Sequence, residues 1–125
     1  MLYTVMKTSF SIAAATTLLL LGSTGEAWAH AHPVQQTPAP NTTISAPAAV
    51  TVVYTEPIEA ALSRLNVLDA QGKQVNTAKA HVTDSGHKSL EVTLPKLSPG
   101  QYTVQWVAVA DDGHRTHGGY TFTVK

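Results

Sequence analysis

Pro99-Gly100-Gln101-Tyr102-Thr103-Val104-Gln105-Trp106-Val107-Ala108 is the longest stretch of this chain in which one face can be read at sight. After the Pro-Gly turn, Tyr102, Val104, Trp106 and Ala108 occupy alternate positions. Period two is the repeat of a β-strand, because successive side chains leave opposite faces of the backbone. The same alternation recurs on both sides. Val50, Val52 and Tyr54 share one face, with Thr51 and Thr55 on the other, and Leu65 and Val67 run into the turn Asp69-Ala70-Gln71-Gly72. Ala80 and Val82 form a weak strand before Asp84-Ser85-Gly86, Leu90, Val92 and Leu94 alternate with Glu91 and Thr93, and Tyr120, Phe122 and Val124 close the chain. No window carries a 3.6-residue apolar stripe. The pattern predicts an all-β, antiparallel domain of about seven short strands, an Ig-like Greek-key sandwich or barrel. Residues 33–47, rich in Pro, Thr, Ala and Asn, read as an extended entry segment with turns.

The N-terminus reads as a secretory signal over residues 1–29, followed by one domain over residues 30–125. Lys7 is the charged region, Phe10 to Leu21 the apolar region, and Ala27-Trp28-Ala29 the cleavage site; either Met1 or Met6 serves as the start. The apolar run is shorter than the roughly 20 residues a membrane span needs, and no second one follows, so an exported, unanchored, periplasmic domain is expected. Cleavage after Ala29 starts the mature chain at His30; a competing site, Ala29-His30-Ala31, starts it at His32. The 96 residues from His30 to Lys125 suffice for one small core. Eight basic and eight acidic residues balance, which argues against nucleic acid or an anionic membrane surface as partner. There is no cysteine, and both methionines precede His30. The mature chain therefore has no sulfur ligand and no thiol chemistry.

Two short pieces carry chemistry: His30-Ala31-His32-Pro33 and Asp112-Gly113-His114. A histidine at a free N-terminus offers a metal two nitrogens from one residue, its α-amine and its ring. Unperturbed pKa values of about 7.7–8.0 and 6.5 let a metal displace protons from both near neutrality. Asp112 and His114, two residues apart in an extended segment, are expected to point the same way and add an oxygen and a third nitrogen. Amine and imidazole nitrogens without thiolate or thioether suit Cu(II) rather than Cu(I). The alternative is a flexible terminus and an ordinary polar turn. A local rival overlaps the first piece: in His30-Ala31-His32 the amine, two deprotonated amides and the His32 ring can hold Cu(II) in a plane without help from the fold.

Taken in order, these residues resemble the CopC-type periplasmic copper-binding proteins. The matching pieces are His30, Thr37-Pro38-Ala39, Tyr54-Thr55-Glu56-Pro57-Ile58-Glu59, the strand after Pro99-Gly100, Asp112-Gly113-His114, and Gly119-Tyr120-Thr121-Phe122-Thr123-Val124. The resemblance implies a Greek-key β-barrel that binds one Cu(II) ion through His30, Asp112 and His114. It implies a non-enzymatic role in copper tolerance, sequestration or delivery, and an inner-membrane copper transport protein of the CopD kind as partner. It favours cleavage before His30. Some members of that family carry a second, methionine-rich Cu(I) site, for which this sequence has no residues. A monomer is expected.

The remaining polar residues have plainer readings. His32 is expected as an exposed neighbour of the site, and His117, three residues past His114 and turned roughly the opposite way, as loop surface or a supporting residue, with replacement of His114 as the remaining alternative. His81 and His87 flank a polar hairpin and read as surface. Asp111 should face away from Asp112, Glu56 and Glu59 read as solvated turn residues, Arg115 as solvated or orienting a ligand, and Trp106 as a core plug. Two other functional classes stay in view. One is a copper oxidative enzyme built on an N-terminal histidine, which needs a broad substrate face and an open copper position that a carboxylate would fill. The other is a plain Ig-like module with incidental histidines.

Overall fold

The computed structural model describes residues 30–125. The predicted signal segment and its cleavage site lie outside the described residues. Eight strands follow in chain order: β1 (Pro33–Thr37), β2 (Thr43–Ile44), β3 (Ala49–Tyr54), β4 (Arg64–Leu68), β5 (His81–Val82), β6 (Ser89–Thr93), β7 (Gly100–Val109) and β8 (Arg115–Val124). They form two four-stranded sheets, ordered β1-β3-β6-β5 and β2-β8-β7-β4. The all-β, Ig-like sandwich read from the alternation is the fold, as two facing sheets rather than a closed barrel.

Each period-two run puts its apolar members between the sheets. Val50, Val52, Leu90 and Val92 on one sheet and Val67, Val104 and Ala108 on the other are fully buried. Burial of each Val or Leu contributes roughly 1.5–3 kcal/mol against exposure, so the facing rows drive the layers together. Tyr102 stacks on Phe122 with centroids 5.7 Å apart. Trp106 meets Tyr54 edge-on at 5.5 Å, the expected core plug, 7 % exposed. The β7–β8 ladder runs through ten residue pairs, from Gly100↔Val124 to Val109↔Arg115. It needs Gly118 opposite Trp106, because a Cβ there would lie 2.6 Å from the indole ring.

Three details depart from the sequence reading. The extended entry segment contains two strands that pair with the sheets. β1 pairs antiparallel with β3, its register shifting between Pro33 and Gln35 so that Val34 is exposed. Its exposed, polar residues hid it, since an edge strand takes its hydrogen bonds from β3 without needing an apolar face. β2 pairs with β8 in parallel, so the domain is not wholly antiparallel. Strand β8 begins at Arg115, five residues before Tyr120, because a backbone ladder continues through Thr116 to Gly119 where apolar alternation stops.

Candidate metal centre

β1 brings the predicted new N-terminus to one end of the sandwich. Pro33 pairs with Tyr54. Just before it, the Thr55 N–H donates to the His32 carbonyl at 2.9 Å, and the His32 N–H donates to Thr55 Oγ1 at 3.1 Å. The Ala31 side chain is 1 % exposed and belongs to the core. The Ala31 carbonyl accepts from Thr116 Oγ1 at 2.7 Å. These contacts leave His30 beside the turn between β7 and β8.

That turn is a compact device. The Gly113 N–H donates to the Ala110 carbonyl at 2.8 Å, and the Ala110 N–H to the His114 carbonyl at 2.9 Å. Gly113 sits at φ +85°, where side-chain-bearing residues are strained. Asp112 Oδ1 accepts the His114 backbone N–H at 2.9 Å, and Oδ2 lies 2.8 Å from His114 Nδ1. Asp112 and His114 do point together, as expected, but through an Asx-type turn rather than through the face-sharing of an extended strand. The Asp112 carboxyl is held below the usual carboxylate range, first by the His114 backbone N–H, then by the His114 ring, and least by the charge on His30. A proton on Nδ1 shared with Asp112 leaves the lone pair of His114 on Nε2.

The His30 ring lies against His114, with centroids 4.6 Å apart and planes tilted by 54°. His30 Nδ1 is buried and has no hydrogen-bond partner, although buried ring nitrogens ordinarily find one. The three sequence-predicted residues thus meet across the two ends of the chain. In this arrangement Asp112 is engaged by His114, and among the described residues no three His, Asp or Glu side chains are spaced to hold a metal ion. Closing on an ion needs side-chain rotation, which the exposure of Asp112 and His114 permits.

His32, expected as exposed, is half-buried, because its backbone is fixed against Thr55; the other candidates separate as the sequence suggested. His81, His87, His117 and Arg115 are exposed, and His81 lies 3.8 Å from Glu91. Glu56, Glu59 and Asp111 are exposed. Tyr54 and Tyr120 carry buried hydroxyls without a partner; burial pushes both phenols upward, and Tyr120 pushes Tyr54 further. The contacts by which Thr55 and Thr116 fasten Ala31 and His32 carried no signal in the sequence, where Thr55 reads as the outward member of an alternating run and Thr116 lies outside the alternating runs.

A family model described as the CopC domain matches residues 33–125. The chain belongs to the CopC family. Among its relatives, Protein YobA of Escherichia coli (strain K12) is 38 % identical over 118 residues, 93 % of each chain. Copper resistance protein C of Xanthomonas campestris pv. juglandis is 36 % identical over 126 residues, 94 % of this chain and 98 % of that one. The crystal structure of CopC from Methylosinus trichosporium OB3b superposes with a TM-score of 0.72 at 30 % identity, covering 77 % of this chain and 94 % of that one. CopC membership makes this a non-enzymatic protein and removes the oxidative-enzyme reading. No helix among the described residues is long and apolar enough to cross a membrane.

Proposed function

We propose that this protein is exported, cleaved between Ala29 and His30, and binds one Cu(II) ion in the periplasm as cargo for copper tolerance or delivery. The ligands are the new α-amine and Nδ1 of His30, a carboxylate oxygen of Asp112 and Nε2 of His114. The observation that carries this reading is the unpartnered, buried His30 Nδ1 beside the His114 ring. An α-amine and Nδ1 of one histidine close a six-membered chelate ring, so the His30 ring nitrogen that is buried without a partner is the one the chelate uses. Before an ion arrives, Asp112 holds His114 in the tautomer that presents Nε2, and its negative charge favours a cation beside it. The relative named Copper resistance protein C points to the same cargo. With no Met or Cys from His30 onward, the donor set is all nitrogen and oxygen, which favours Cu(II) over Cu(I). The protein works as a monomer and passes its ion to an inner-membrane copper transport protein of the CopD kind.

The test begins with the mass of the exported protein, which fixes its first residue. Cu(II) titration and electron paramagnetic resonance on that species should give one tight site with nitrogen coupling, lost in Asp112→Ala and His114→Ala. A first residue other than His30, or a signal indifferent to both substitutions, refutes the assignment.

A further inference from the structure

The Ala31–His32 peptide unit is held from both sheets. Its C=O accepts from Thr116 Oγ1 at 2.7 Å, and its N–H donates to Thr55 Oγ1 at 3.1 Å. Thr116 lies on β8, and Thr55 directly follows β3, so one plane of backbone is pinned between the two layers. The neighbouring contacts tighten the hold. The Thr55 N–H donates back to the His32 carbonyl at 2.9 Å, and the Ala31 methyl is packed into the core.

This peptide is also the one a competing copper mode must consume. In the local His30-Ala31-His32 mode, copper replaces the amide protons of Ala31 and His32 and draws the His32 ring into the same plane. The three residues must curl, the His32 N–H must be given up, and the Ala31 methyl must leave the core. From this we infer that Thr55 and Thr116 are positioning residues that select between two copper modes of one N-terminus. They suppress the backbone-amide chelate and reserve the His30 amine and ring for Asp112 and His114. Neither threonine touches the ion; each acts through the Ala31–His32 peptide. The inference rests on the copper reading above and goes beyond it, because that reading names ligands and not what keeps the alternative set away.

The chemistry of the two modes differs enough to be read directly. The amide mode releases two backbone protons and places four nitrogens around copper, including the His32 ring. The folded mode contains no amide nitrogen and includes groups from the β7–β8 turn. Removing a net hydrogen bond of about 1 kcal/mol corresponds to about fivefold in an equilibrium. The double variant Thr55→Val/Thr116→Val should therefore lose about 25-fold in the preference for the folded mode.

The experiment uses the protein starting at His30, loaded with one equivalent of Cu(II), and records visible absorption and electron paramagnetic resonance. The wild type is expected to depend on His114 and not on His32. Thr55→Val/Thr116→Val should gain a higher-energy ligand-field band and a four-nitrogen signal that His32→Ala removes. Thr55→Ser/Thr116→Ser keeps both hydroxyls and should restore the wild-type spectrum. A Val variant with the wild-type spectrum and the wild-type dependence on His114 overturns the inference while leaving the proposed ligands standing. A wild type that already shows the amide spectrum overturns both. If the double Val variant fails to fold, amide hydrogen exchange decides on the wild type: the His32 N–H should be protected like a strand amide, and exchange at the rate of a free terminus overturns the inference.

Discussion

Gly118→Ala tests how tightly β8 packs against the core tryptophan. An ideal Cβ at Gly118 lies 2.6 Å from Trp106 Cζ2, 2.9 Å from Cε2 and 3.2 Å from Nε1. The first two are closer than carbon atoms approach without something moving. The obstacle is a ring rather than the loose end of a flexible chain, and that ring is already wedged edge-on against Tyr54. Overpacking of this kind costs about 1–3 kcal/mol. Replacing Gly by Ala in a strand recovers about 0.5–1 kcal/mol of chain entropy. The two ranges leave a net loss of about 0–2.5 kcal/mol, with a midpoint of ~1.3 kcal/mol that lowers Tm by roughly 5–10 °C in a domain of this size. Urea unfolding of the chain from His30 onward, followed by the fluorescence of Trp106, measures it, since the second tryptophan, Trp28, precedes that point. The midpoint should fall with the slope unchanged, and the emission should shift as the indole is displaced. A variant as stable as the wild type, with unshifted emission, refutes the close approach and with it the need for glycine at this position.

Further expectations concern the metal centre. Any residue left in front of His30 should weaken Cu(II) binding by roughly two orders of magnitude or more, because a peptide nitrogen replaces the amine; competitive titration of both forms measures this, and equal affinity removes the amine from the ligand set. Asp112→Ala should abolish tight Cu(II) binding while leaving thermal stability nearly unchanged, since the carboxylate is solvent-exposed; a large loss of Tm would mean the turn depends on it for folding. The Asp112 carboxyl titrates below its unfolded value, so its contribution to stability is present above that value and is lost as pH falls through the lower folded value. Carbon NMR should find the Asp112 midpoint still depressed in His114→Ala, because the backbone N–H is the larger cause; full return to the ordinary value would reverse that order.

The fold was legible wherever burial alternates along the chain. Val50 to Tyr54, Leu90 to Leu94 and Tyr102 to Ala108 carry their layer assignment in their spacing, since one face must be apolar. Strand β1 was not legible, because Pro33 to Thr37 lies at an edge with little burial, and edge pairing is a backbone event that leaves little trace in composition. The same holds for Arg115 to Gly119 in β8. At the site, the histidine at the expected N-terminus, the Asp112-Gly113-His114 spacing and the family resemblance together told which polar residues to watch, but the joint direction of Asp112 and His114 comes from a turn that the two-residue spacing only mimics. Thr55 and Thr116 stayed invisible for a different reason. Their contacts span 23 and 85 positions, and nothing local distinguishes them from the other threonines of a half-exposed strand.

That long span sets an order of events. Contacts remote in sequence form after local ones, because the intervening chain must first be closed. The β7–β8 hairpin can zip by itself, whereas His30 finds its neighbours only when the last strand has arrived. If the chain is exported and cleaved before His30 as proposed, it emerges with its first residue ready and its counterpart still to come. Competence to capture an ion would then be deferred until the closing hairpin has formed, and a truncated or half-made copy, lacking that hairpin, would be left without the folded site.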